Sequence, residues 1–261
     1  MGVTLAKQQT TFRDYVRMGL VFTGAFAQVI MGAIPNIMGW KFNVGMRSRE
    51  VQTLAVPATY AFAIWSVLFL GCIVFAIVQL LYPYQRDKTL RTVGWLAAIA
   101  FWGNTLWEWY VPFNSFGLGS LALIFIIFIA LISAMFVLQD QKDRRPLFIP
   151  LKMLCGWISV ATFVNISVTA NFLSFNPFGL SPHMQALIII VTAGIVTLAV
   201  AVYFKSAYYN FPTLWGLVAI YVININRQET QLAYWALTLG IVGFLVALAG
   251  QIQRRRTSLR V

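Results

Sequence analysis

Long uninterrupted apolar segments dominate the pattern of this chain. Eight such runs are separated by short polar or charged stretches, and they cover residues 18–35, 55–82, 92–112, 117–139, 148–173, 184–204, 207–225 and 231–250. Most of them approach the ~20 residues that an α-helix needs to cross the hydrocarbon layer of a bilayer. The runs are continuous rather than alternating, which favours transmembrane helices over a transmembrane β-barrel.

The seventh run, 207–225, is the weakest of the eight, because Pro212 and the polar pair Asn224 and Asn226 shorten its apolar centre. The distribution of basic residues supports counting it. If the N-terminus is cytoplasmic and eight helices alternate, fifteen of the 19 Lys and Arg residues fall inside and four outside. Without the seventh helix, the arginine-rich tail would lie outside. The sequence therefore predicts eight helices with both termini in the cytoplasm.

Composition excludes the soluble classes of protein. The 261 residues are 60% apolar and only 10% charged, whereas soluble domains have roughly 45–50% apolar and about 25% charged residues. Soluble enzymes, fibrous proteins, disulfide frameworks and disordered chains are thus excluded. The net charge of +12 comes from residues between the apolar runs, where they set topology and meet lipid headgroups. The predicted partner is the lipid bilayer, and nucleic-acid binding is not expected.

The sequence contains no enzyme or metal signature. Cys72 and Cys155 lie inside apolar runs and are expected to be small core residues, and His183 is the only histidine. Glu108 is the only carboxylate inside any run, so a proton relay through several carboxylates is not expected. We therefore predict no catalytic residues and no metal site, and we leave open only chemistry on a bound pigment.

Aromatic and polar residues within the runs are the distinctive feature. Nine Trp, ten Tyr and 21 Phe exceed what interfacial anchoring requires, and Trp65 and Trp157 lie well inside their runs. Asn104 and Glu108 are four residues apart and share a helix face. Glu108 is near the outer end of its run, so a functional role and a tolerated surface position are equally open. Asn165 fits either helix packing or the polar floor of an aromatic pocket.

Three short motifs resemble those of the translocator-protein family, which includes the tryptophan-rich sensory proteins and peripheral-type benzodiazepine receptors. The second run reads Val-Pro-Ala-Thr-Tyr-Ala-Phe-Ala-Ile-Trp-Ser-Val-Leu-Phe over residues 56–69, similar to the family's second-helix signature of Pro-Pro, Phe, Trp and Leu-Tyr. Pro57 and Trp65 align with the second Pro and the Trp of that signature. Val56 replaces the first Pro, and Phe62 comes one place late.

The other two motifs lie on the third and fifth runs. Asn104-Thr105-Leu106-Trp107 matches the family's Asn-x-x-Trp, and Trp157, Ala161 and Asn165 match its Trp-x-x-x-Ala-x-x-x-Asn. The resemblance covers roughly residues 15–175. The whole chain resembles the longer tryptophan-rich branch of the family, which carries the form Pro-Ala-x-Tyr-Ala-Phe-x-Ile-Trp.

The resemblance implies an all-α fold, a polytopic transmembrane bundle with a five-helix core. That core would occupy 1–175 and enclose an apolar pocket capped by the loop between the first two helices. Residues 176–261 would add three helices and a basic cytoplasmic tail to the same continuous bundle.

The resemblance also implies a function, because family members bind porphyrins, haem precursors, sterols and synthetic isoquinoline-type ligands. The expected function is binding of an apolar ligand of the tetrapyrrole type, by a sensor, carrier or scavenger. Porphyrin or haem is expected only as this ligand, and no other cofactor is expected. The candidate ligand-binding residues are Pro57, Tyr60, Trp65, Asn104, Trp107, Glu108, Trp157 and Asn165.

Two other functions remain open on the sequence. The chain could be a small-solute membrane transporter, or a structural or assembly subunit of a larger membrane complex. The chain could also form a homodimer or bind a partner within a membrane complex.

Overall fold

The computed structural model describes residues 10–51, 53–81, 84–139 and 146–258. In these ranges the regular structure is helical. The α-helices are α1 (Phe12–Ile37), α2 (Val44–Glu50), α3 (Ile64–Val78), α4 (Lys88–Asn114), α5 (Leu118–Leu138), α6 (Ile149–Phe172), α7 (Pro182–Phe204), α8 (Ala207–Asn226) and α9 (Thr230–Ser258). The eight long helices correspond to the eight apolar runs, and the short α2 lies between the first two, so the predicted helical bundle is confirmed.

Six of the helices in the described ranges are long and apolar enough to cross a membrane, which supports an integral membrane protein. These segments are Phe12–Ile37, Thr59–Val78, Leu118–Leu138, Pro146–Phe172, Pro182–Phe204 and Thr230–Thr257. The remaining two long helices, α4 and α8, contain more polar residues. Crossing of the membrane by all eight helices therefore stays a prediction.

Helix α1 begins earlier than the apolar pattern indicates, because a capping box starts it at Phe12. The Thr11 hydroxyl accepts from the Asp14 backbone N–H, and the Asp14 carboxylate accepts from the backbone N–H of Thr11. Asp14 also pairs with Arg91 on α4 at 2.8 Å. The Arg17 guanidinium is fully buried and donates to the carbonyl of Leu90 at 2.7 Å. These contacts fix the start of α1 against the start of α4.

Five helices form a closed ring. α1 packs against α4, α4 against α5, α5 against α6, α6 against α3, and α3 against α1. Inside this ring, the buried rings of Phe75 and Phe101 meet edge to face with centroids 6.3 Å apart. The ring closes because α3, the next long helix after α1 in the chain, packs against α6 as well as against α1.

The last three helices pack on the outside of this ring, mainly through α8 on α6 and α9 on α8. The Tyr209 hydroxyl donates to Ser159 Oγ at 2.8 Å, and Trp215 Nε1 donates to the carbonyl of Ala61 at 3.0 Å. Gly156 makes the close approach of α6 and α8 feasible, since a Cβ there would overlap the carbonyl oxygen of Tyr209. A boundary near residue 175 between a core and added helices stays a prediction.

We predict that Gly156→Ala destabilises the bundle. The added methyl group would push α8 off α6, and overpacking of this kind costs about 1–3 kcal/mol. The midpoint of thermal unfolding in detergent, followed by tryptophan fluorescence, should fall. Gly19→Ala on α1 is the matched control, because a Cβ there meets nothing within 4 Å. Equal midpoints for the two variants would show that the α6–α8 contact accommodates the added methyl group without loss of stability.

The cytoplasmic location of both termini is a second testable prediction. The prediction rests partly on basic residues that lie outside the described ranges, namely Lys7, Lys142, Arg144, Arg145 and Arg260. If eight helices cross the membrane, a cysteine at Asn176, exposed between α6 and α7, should react with an impermeant maleimide in intact cells. A cysteine at Thr257 in α9 should react only after lysis. Cys72 and Cys155 are buried, so the unmodified chain gives the background. Labelling of Thr257→Cys in intact cells would contradict this topology.

Candidate functional site

A cavity of about 610 Å³ lies between α1 and α3. Helix α1 contributes Val29, Met31, Gly32, Ala33, Pro35 and Asn36 to its walls. The segment that starts α2 contributes Asn43, Val44 and Gly45. The remaining walls come from Phe62, Trp65, Ser66, Phe69, Leu70, Ile73, Trp107 and Glu108. The cavity is thus bounded by three long helices and closed at one end by the short helix α2.

The cavity opens between α1 and α3. Val29 and Gly32 on α1, and Ser66 and Leu70 on α3, line it and are themselves exposed. The opening lies on the outer surface of the bundle, between two segments that are long and apolar enough to cross a membrane.

Helix α2 is held in place by Arg47. Its guanidinium donates two hydrogen bonds to the carbonyl of Pro112 at the end of α4, at 3.1 and 3.0 Å. It also lies 3.6 Å from the ring centroid of Phe42 and pairs with Glu50 at 2.9 Å. Asn43 starts the helix by accepting from the Met46 backbone N–H at 2.8 Å. The segment that bounds the cavity is thus anchored to α4 rather than loose.

An aromatic cluster forms one wall of the cavity. The Trp65 ring meets the Trp157 ring edge to face with centroids 5.8 Å apart, and it lies 4.9 Å from the ring of Phe69. Phe62 also meets Trp157 edge to face, at 6.4 Å. Trp65 and Trp107 additionally border a second, narrower cavity of about 40 Å³ on the α6 side. The two cavities therefore share an aromatic wall.

A buried hydrogen-bond network sets the position of Trp107. Its Nε1 donates to Ser120 Oγ at 3.2 Å, and Asn165 Nδ2 donates to the same oxygen at 2.9 Å. The Thr169 hydroxyl donates to Asn165 Oδ1 at 3.2 Å. All four residues are buried. The polar groups of Asn165 thus have partners inside the protein and link α4, α5 and α6.

A second group of buried polar residues, on α1 and α4, is incompletely paired. Asn104 Nδ2 donates to Gln28 Oε1 at 3.2 Å, which leaves Asn104 Oδ1 and Gln28 Nε2 without a partner. Glu108, one helical turn further along α4, lines the larger cavity and is 8% exposed. Its Oε2 has no hydrogen-bond partner. Unpartnered buried polar atoms also occur elsewhere among the described residues, so it is the position of Glu108 at a cavity that marks a candidate site.

The structure distributes the eight candidate residues over four environments. The larger cavity is lined by Trp65, Trp107 and Glu108, and the narrower one by Pro57, Trp65, Trp107, Trp157 and Asn165. Asn104 is buried beside Gln28 and lines neither cavity. Tyr60 is 44% exposed, and its ring packs edge-on against Trp215 with centroids 5.5 Å apart. A ligand-binding role for these residues stays a prediction.

Residues from α1 and α2 were missed by the sequence interpretation. Gly32 supplies space, since a Cβ there would lie 3.3 Å from Glu108 Oε1. Val44 lines both cavities. The family-like motifs lie on other helices, and nothing in the pattern of the first run indicates which of its faces meets α3. In the described ranges, no group of three or more His, Cys, Asp or Glu side chains is placed to hold a metal ion.

Comparison with known proteins places the chain in a family. A family model described as TSPO-like protein matches residues 19–249. The match includes α2 to α8, both cavities and most of α1 and α9. No curated protein and no solved structure matches the chain.

We predict that Ser120→Ala loosens the wall shared by the cavities. The change removes the acceptor for Trp107 Nε1 and a partner of Asn165, and an unsatisfied buried group costs about 1–3 kcal/mol. The thermal midpoint should fall, and the tryptophan emission spectrum should shift. Ser66→Ala, exposed at the mouth of the larger cavity, is the control and should leave both unchanged. Identical spectra for the chain and Ser120→Ala would mean that packing alone holds Trp107.

Proposed function

This chain belongs to the TSPO-like protein family, and from that premise we propose that it binds a flat, apolar ligand in the cavity between α1 and α3. The volume of about 610 Å³ lies within the ~300–1,000 Å³ typical of sites for small molecules. Most of the lining side chains are apolar, with a few polar groups among them. Sites for apolar small molecules usually have this composition.

The observation that carries the proposal is the position of Trp65. Its ring belongs to the wall that both cavities share, and it is held edge-on by Trp157 and flanked by Phe69. Aromatic side chains stack on planar ligands with about 0.5–1.5 kcal/mol beyond the burial of area. A ring already fixed by its neighbours binds such a ligand with little loss of conformational entropy.

The proposed ligand class is a tetrapyrrole, such as a porphyrin or haem. This class follows from the resemblance of the motifs around Pro57, Trp65 and Trp107 to those of the translocator-protein family. A planar, largely apolar ring system suits a cavity with an aromatic wall. Entry would follow the opening between α1 and α3, because such a ligand is concentrated in the bilayer. The physiological role would be that of a sensor, carrier or scavenger.

We predict that Trp65→Ala weakens porphyrin binding at least fivefold, which corresponds to about 1 kcal/mol. The purified chain is titrated with protoporphyrin, and tryptophan quenching and the absorbance of the porphyrin are followed. Trp65→Phe keeps an aromatic ring and should retain most of the affinity. Trp235→Ala on α9 is the matched control, because Trp235 is 44% exposed and lines neither cavity.

Two results would contradict the proposal in different ways. Equal affinity of Trp65→Ala and the unmodified chain, with both variants folded, would remove Trp65 from the site. Absence of saturable binding above a detergent-only control would reject porphyrins as ligands.

A further inference from the structure

Glu108 lines the larger cavity without a partner of opposite charge. Among the residues that border this cavity, it is the only one with an ionisable side chain. The described ion pairs do not include it, and its Oε2 accepts no hydrogen bond. The carboxyl group is nevertheless 8% exposed, so water does not solvate it as on a surface.

Arg47, on the helix that closes one end of the cavity, already has partners. It donates to the Pro112 carbonyl, pairs with Glu50 and lies over the ring of Phe42. It does not line the cavity. No basic residue among those described lines this cavity, so a cationic occupant would give the charged form of Glu108 a partner that the cavity walls do not supply.

The immediate surroundings of Glu108 favour hydrogen-bond donors. The carboxyl group lies beside Gly32, where an added Cβ would come within 3.3 Å of Oε1, so the missing side chain leaves space next to it. Oε2 of Glu108 has no donor within the protein. A protonated amine would supply that donor and would favour the charged form of the carboxyl group, whereas a ligand carboxylate would disfavour that form.

On the basis of the ligand site proposed above, we infer that the cavity selects amphiphiles that carry a protonated amine, with Glu108 as the residue that recognises the amine. The flat apolar body of the ligand lies against Trp65 and Phe69, and the ammonium group donates to the Glu108 carboxylate. Ion pairing of this kind is strongest where water is excluded, as it is at a buried carboxylate. A ligand with carboxylates, protoporphyrin included, then binds only with those groups turned away from Glu108.

The test uses three probes that share one ring system and differ in one group. They are 1-pyrenemethylamine, 1-pyrenemethanol and 1-pyrenecarboxylic acid, which are cationic, neutral and anionic at neutral pH. The full chain is placed in nanodiscs of a zwitterionic lipid, and energy transfer from tryptophan to pyrene is measured against empty nanodiscs. The amine should bind roughly tenfold more tightly than the alcohol, and the carboxylic acid most weakly.

Glu108→Gln keeps the size of the side chain and removes its charge. The affinity of this variant for the alcohol should lie within about twofold of that of the unmodified chain, and the variant should lose the preference for the amine. Glu108→Asp should retain that preference. Glu229→Gln is the matched control, because Glu229 pairs with His183 at 2.7 Å and lines neither cavity. It should leave all three affinities unchanged.

The possible outcomes separate this inference from the proposed function. Failure of every probe to bind saturably would overturn both. Equal affinities for the three probes, each weakened by Trp65→Ala, would leave the ligand site standing and overturn the role of Glu108. If Glu108→Gln does not fold, the relative affinities of the three probes for the unmodified chain still test the inference. An unmodified chain that does not prefer the amine contradicts it.

Discussion

The hydrocarbon layer of a membrane offers the peptide backbone no hydrogen-bond partner, and the rest of this structure follows from that constraint. Each spanning segment must satisfy its own N–H and C=O groups, so it must be helical. Once the backbone is satisfied, only side chains can distinguish one helix contact from another. Here Gly156 lets α8 approach α6, and the capping box at Thr11 with buried Arg17 joins α1 to α4.

Polar side chains inside the bundle fall into two groups with different consequences. Arg17, Ser120 and Asn165 have protein partners, and they hold particular helices together. Gln28, Asn104 and Glu108 are incompletely paired, and they lie together on facing sides of α1 and α4. Of these three residues, only Glu108 lines a cavity, where a bound donor would offset the free-energy cost of its unpaired oxygen.

The aromatic wall connects these two groups. Trp107 is anchored through Ser120 and borders both cavities, and Trp65 is held by Trp157 across the same wall. The aromatic wall therefore comes from α3, α4 and α6, where the family-like motifs lie. Glu108, where α4 meets α1, adds an ionisable group to the lining. A ligand that used both would be flat and apolar along one edge and polar at one end.

The sequence by itself determined the number and rough extent of the long helices, because apolar runs of about 20 residues have one stable form in lipid. It also singled out Trp65, Trp107 and Glu108 as candidates, through motif spacing and through the rarity of a carboxylate in such a run, and these three line the larger cavity. Only the tertiary structure decided that Tyr60 packs on Trp215 outside the cavities, that Asn104 pairs with Gln28, and that α1 and α2 supply much of the lining. Helical periodicity shows which residues share a face, but the partner of that face is set by contacts between segments distant in the chain.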